Sequence, residues 1–147
     1  MYQTKEGEYY SKEPSQLQLL NASKISGRNS KGLGIGFFNA VTAKAEATVT
    51  DSLGNEKTVD YYPLTNYNVV VFDQNLKNNS FVSIINTNIL RSGNTYDANV
   101  TGFQFDVRNK KNSYSLSGSG AYNKKYGGIY AQDKESDDGF TQQLSLS

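Results

Sequence analysis

The sequence predicts an all-β protein: an antiparallel up-and-down meander, forming a segment of a transmembrane β-barrel. Three observations lead there. Turn residues recur at regular intervals, runs of about ten residues lie between them, and one stretch, 33–50, alternates with period two along its length. Asn, Gly and Ser cluster at 27–32 (GRNSKG), 51–55 (DSLGN), 75–80 (NLKNNS), 92–94 (SGN), 109–112 (NKKN) and 123–128 (NKKYGG). Asn and Gly tolerate positive φ, and an Asn side chain can stand in for a backbone turn. Strands are therefore predicted at 17–26, 33–50, 64–74, 80–91, 97–109 and 113–123, with a seventh beginning at Phe140. Residues 1–16 read as a polar lead-in and 17–147 as a partial antiparallel β-barrel domain.

The run 33–50 is the strongest element. Its odd positions, Leu33, Ile35, Phe37, Val41, Ala43, Ala45, Ala47 and Val49, form an apolar face interrupted only by Asn39, whereas the even positions are mostly small or polar. A helix would need apolar residues at i, i+3, i+4 and i+7, and the β-branched Val41, Thr42, Thr48, Val49 and Thr50 fit a strand better. These eight odd residues are predicted to face lipid. Over 64–74, Thr65, Tyr67, Val69 and Val71 oppose Asn66, Asn68, Val70 and Phe72. Over 97–109, Phe103, Phe105 and Val107 oppose Gln104, Asp106 and Arg108. Over 113–123, Tyr114, Leu116, Gly118, Gly120 and Tyr122 oppose Ser113, Ser115, Ser117 and Ser119, as in a lipid-facing band bracketed by aromatics and backed by a wet lumen. Connections alternate between short (27–32, 75–79, 110–112) and long (51–63, 124–139), with 92–96 intermediate, the asymmetry of an outer-membrane barrel.

Composition excludes several function classes. Fifteen basic and fourteen acidic residues give a net charge of +1, too weak a field to draw nucleic acid. With no Cys and no His there are no disulfides, thiolate nucleophiles, imidazole bases or ordinary zinc ligands. The first sixteen residues contain no apolar h-region, and no window reaches the ~18 apolar residues of a transmembrane helix.

Candidate sites each have a plainer reading. Asp133, Glu135, Asp137, Asp138 and Gly139 suggest a calcium loop, but the twelve-residue frame from Asp133 puts Asp138 where glycine belongs and Leu144 where glutamate belongs. A solvated outer loop explains them better. Among Glu46, Asp73, Asp97 and Asp106 nothing sets a catalytic spacing, and Asp73 and Asp97 read as turn caps beside Asn-rich turns. Gly32, Gly34 and Gly36 lack the third glycine of a dinucleotide loop and a following helix. Eleven tyrosines and seven phenylalanines without Trp read as aromatic girdles ahead of a sugar-stacking platform. No catalytic, metal or cofactor residue is assigned, and the chain is expected to be non-enzymatic.

The segments 20–28 (LNASKISGR), 32–43 (GLGIGFFNAVTA), 63–75 (PLTNYNVVVFDQN), 83–90 (SIINTNIL) and 96–103 (YDANVTGF) resemble the C-terminal region of a family of bacterial surface proteins. That region is a domain of unknown function that follows a family-nine-type carbohydrate-binding module. The likeness runs from Leu19 to Tyr126 and implies an outer-membrane β-barrel with no established catalytic residues. It further implies lipid as a partner, and a glycan through the parent protein. A soluble β-sandwich carbohydrate-binding module is the alternative, and a surface hydrolase anchored by this region a third. Because six or seven strands cannot close a single-chain barrel, the chain is expected to be a fragment that needs its missing strands or copies of itself. Made without detergent, it should therefore not be a well-behaved monomer; light scattering that found a monodisperse monomer with cooperative unfolding would favour the sandwich.

Overall fold

In a computed structural model that describes residues 2–127 and 137–147, the chain forms two antiparallel sheets, with no helix among the described residues. The long sheet contains β2 (Leu19–Arg28), β3 (Leu33–Thr42), β6 (Thr65–Asn75), β7 (Phe81–Arg91), β8 (Asp97–Arg108), β9 (Ser115–Tyr126) and β10 (Asp138–Leu146). Its order is β10-β9-β8-β7-β6-β3-β2, a meander with one excursion between β3 and β6. The small sheet holds β1 (Tyr9–Lys12), β4 (Ala45–Thr50) and β5 (Glu56–Tyr62) in the order β1-β4-β5. Among the described residues the long sheet does not close on itself; β2 and β10 are its edges.

The connections 29–32, 76–80 and 109–114 fall at one end of the long sheet, and 43–64 and 92–96 at the other, where β9 ends and β10 begins. The first group is built by asparagine, as the composition suggested. The Asn29 side-chain oxygen accepts from the Leu33 amide at 2.9 Å, Asn109 accepts from Ser113 at 2.9 Å, and Asn78 and Asn79 sit at φ 60° and 56°.

Five sequence expectations are corrected. The run 33–50 is two strands, because its partners change at Ala43 and Lys44: β3 lies between β2 and β6, and β4 between β1 and β5. The alternation continues in β4, where Ala45, Ala47 and Val49 are the more buried set. The stretch 51–63, expected as a loop, contains β5, and β1 falls inside the lead-in. Consequently Ala47 and Val49, expected to face lipid, are buried at 3% and 1% exposure with Val59, under Tyr2, Tyr10 and Tyr61. Ala45 is half-buried in β4, and Ala43 lies in the connection, its amide donating to the Gln18 carbonyl at 2.8 Å. Five of the eleven tyrosines, Tyr2, Tyr9, Tyr10, Tyr61 and Tyr62, belong to the small sheet or its lead-in instead of a girdle. Tyr10 and Tyr61 meet edge to face with ring centroids 5.2 Å apart.

Glu8 fastens the lead-in. Its carboxylate accepts from the Lys57 ammonium, the Lys5 amide at 3.0 Å and the Tyr2 hydroxyl at 2.9 Å. The Lys57 hydrogen bond, then the Lys5 amide, pulls the Glu8 carboxyl from its ordinary 4.5 to about 2. A carboxyl depressed by folding contributes stability above its unfolded pKa and loses it as pH falls through the folded one. The attachment of the lead-in should therefore weaken between pH 4.5 and about pH 2. Near-ultraviolet dichroism of the tyrosine cluster should record that weakening in the native chain, and Glu8→Gln should abolish this acid step.

Candidate functional site

Candidate chemistry lies on the two faces of the long sheet, which the register fixes residue by residue. Side chains alternate along each strand, so directly paired residues share a face. On one face three consecutive rows are largely apolar. They are Leu33–Gln74–Val82–Phe105–Gly118–Leu144, then Gly27–Ile35–Phe72–Ile84–Phe103–Gly120–Gln142, then Ile25–Phe37–Val70–Asn86–Thr101–Tyr122–Phe140. Val107, Leu116 and Leu146 extend the band toward the tight turns. None of these positions is charged. Most of the large apolar side chains are exposed, Ile84 at 53% for example, and the small sheet's core is built without them.

Next comes a row of amides, Ser23–Asn39–Asn68–Asn88–Asn99, ending on Lys124 and Asp138. With their neighbours in adjacent rows, all of these amides but Asn88, which accepts from the Tyr126 hydroxyl at 3.5 Å, bond to other amides. Asn39 Nδ2 donates to Asn66 Oδ1 at 2.6 Å and Asn68 Oδ1 at 2.8 Å. Asn86 and Asn99 exchange bonds of 3.1 and 3.2 Å, and Asn86 also donates to Thr101 Oγ1 at 2.7 Å. Amides satisfied in this way can face a medium that offers no hydrogen bonds. Asn39, the interruption in the odd face of 33–50, is thus one member of a cross-strand ladder.

The opposite face carries a row with no apolar side chain on any of the seven strands: Arg28–Gly34–Asp73–Ser83–Gln104–Ser119–Gln143. Arg28 pairs with Asp73 over Gly34, where a Cβ would lie 3.0 Å from both side chains. Asp106 accepts Arg108 through two bonds of 2.9 and 3.2 Å. Toward the long connections this face becomes more apolar, with Phe38, Val69, Val71 and Ile85. Its depressions follow the polar row. One of about 260 Å³ is lined by Phe81, Gln104, Asp106, Ser117, Ser119, Gln143 and Ser145, and one of about 330 Å³ by Arg28, Gly34 and Asp73 among others.

The remaining candidates disperse. Glu46 pairs with Lys44 at 3.3 Å, Asp97 caps the Arg91 amide at 2.7 Å, and Asp73, read as a turn cap, is instead an ion-pair partner. Asp133 and Glu135 lie outside the described residues, Asp137 pairs with Lys125 at 2.6 Å, and Asp138 accepts from Tyr122 at 3.1 Å. No group of three acidic side chains converges on a cation position among the described residues. Of the eight residues expected to face lipid, Leu33, Ile35, Phe37 and Val41 lie on the apolar face of the long sheet.

A protein-family model described as a domain of unknown function, DUF5916, matches residues 1–147. The chain belongs to that family. No curated protein and no solved structure matches it. The match covers the whole chain, beyond the Leu19–Tyr126 span of the likeness, and bears on a domain of unknown function alone, not on an outer-membrane origin or a neighbouring carbohydrate-binding module.

Two glycines of this DUF5916 chain make room on the apolar face. A Cβ on Gly120 would stand 2.6 Å from the Phe103 ring and 3.1 Å from the Thr141 carbonyl, and one on Gly118 would stand 2.7 Å from Phe105. Each ring covers the glycine directly across the ladder, filling a gap that a side chain would otherwise occupy. Gly120→Ala should cost about 1–3 kcal/mol by overpacking, whereas Gly27→Ala, with nothing within 4 Å of the new methyl group, should change stability by no more than about 0.5 kcal/mol. Urea unfolding of the refolded chain measures both.

Proposed function

We propose that this chain is a length of the wall of a bacterial outer-membrane β-barrel, with its apolar face toward lipid and its polar face toward a water-filled interior. It is non-catalytic in itself and needs no cofactor or nucleic acid. The parent protein handles a glycan or another solute at the cell surface. Further strands, from a longer chain or a second copy, pair at β2 and β10.

The observation that carries this reading is the uncharged, exposed apolar band across all seven strands, backed by a polar row on the other face. Strands of 9–12 residues match the length that crosses a bilayer when tilted. The self-paired asparagine row supports it as the edge of the hydrocarbon layer, where charge first enters with Lys124 and Asp138. The second reading, a soluble β-sandwich carbohydrate-binding module, draws on the small sheet with its own buried core; there a further sheet would cover the apolar band.

The chain has no Trp, so a single introduced Trp reports its own surroundings. In vesicles with brominated acyl chains, Ile84→Trp should be strongly quenched and Ser83→Trp, on the adjacent residue and opposite face, should not. Absence of quenching at Ile84→Trp would defeat the membrane reading in favour of the sandwich.

A further inference from the structure

Amides on the two faces of the long sheet are treated differently. On the apolar face Asn39, Asn68, Asn86 and Asn99 are half-buried and bonded to one another. On the polar face Ser83, Gln104, Ser119 and Gln143 stand in one register row on four adjacent strands, and none has a side-chain hydrogen bond to another described residue. Adjacent strands lie ~4.8 Å apart, so the two glutamines are roughly 10 Å apart with a hydroxyl between them and another flanking. The row's only charges, Asp73 beside Ser83 and two strands from Gln104, and Arg28 four strands away, neutralise each other. Asp106, in the same depression, is engaged by Arg108.

We infer that Ser83, Gln104, Ser119 and Gln143 form a binding strip for a neutral, polyhydroxylated solute such as a short oligosaccharide. Each free amide offers both donors and an acceptor, and each hydroxyl offers both roles, so the strip complements a ligand whose surface is itself a set of hydroxyl groups. An ion finds no unneutralised counter-charge in the row. An apolar ligand would leave two amides and two hydroxyls without water or partner. Phe81, in the same depression, supplies the ring edge or face against which a sugar's C–H surface packs. The inference rests on the reading that the polar face borders a water-filled interior.

Titration of the ¹⁵N-labelled full chain in detergent micelles with maltotriose tests it. The side-chain amide signals of Gln104 and Gln143 should shift saturably. That of Gln142, next to Gln143 but on the apolar face, should stay in place. Replacing both, Gln104→Ala with Gln143→Ala, should weaken the response at the Ser119 amide roughly tenfold, and Gln142→Ala should leave it unchanged. Sodium gluconate should bind no more tightly than maltotriose. An absent or non-saturating shift, an equal shift at Gln142, an unaffected double variant or tighter gluconate binding would overturn the strip. Quenching of Ile84→Trp by brominated lipid judges the barrel reading separately. Quenching without a maltotriose response removes the strip alone, and a maltotriose response without quenching removes the membrane reading alone.

Discussion

Everything in the long sheet depends on its register. Side chains alternate with period two, so a slip of one residue between any two strands would carry a whole strand's apolar set to the polar face. The pairing of β3 with β6 shows how much is tied to it. Leu33 opposite Gln74 and Thr42 opposite Thr65 fix Asn39 beside Asn68, Phe37 beside Val70 and Gly34 beside Asp73 in one stroke. The asparagine ladder itself resists a slip, since moving Asn39 by one position would separate it from both Asn66 and Asn68. The Arg28–Asp73 pair does the same from the other face, because it can close only across a residue without a side chain.

Glycine and phenylalanine act as a second, steric check on that register. Gly118 and Gly120 on β9 would weaken an isolated strand, yet each lies under a ring from β8. Phe103 and Phe105 thus cover backbone that would otherwise be bare, and the alternative register would set the rings against Ser119 and Ala121. The sheet combines polar and apolar means of specifying the same alignment, a consistency between local and global preference that favours a single native pairing.

Much of the long sheet was legible in the sequence because turn chemistry and alternation are local properties. The strands 64–74, 80–91 and 97–109 are matched within a residue or two by β6, β7 and β8. What was illegible is the choice of partner. The stretch 33–50 alternates throughout, but nothing local announces that Ala43 and Lys44 leave one sheet for another, so Ala47 and Val49 were assigned to the wrong surface. β5 escaped notice because the DSLGN turn and Pro63 bracket it as a loop, although Val59 and Tyr61 share its buried side. Asn39 read as a flaw in an apolar face because the residues that complete its ladder lie 27 and 29 positions away. The free row from Ser83 to Gln143 was hidden for the same reason: each strand contributes one member, and only the pairing aligns them.

The small sheet has a mechanical meaning. β1 precedes β2 in the chain but pairs with β4, which follows β3, so the β1–β4 contact encloses the entire β2–β3 hairpin in a closed loop. Ser11 reaches the Thr48 carbonyl across 37 positions of sequence. Tension applied to the N-terminus therefore meets the short β1–β4 ladder and the Glu8–Lys57 contact before it reaches β2.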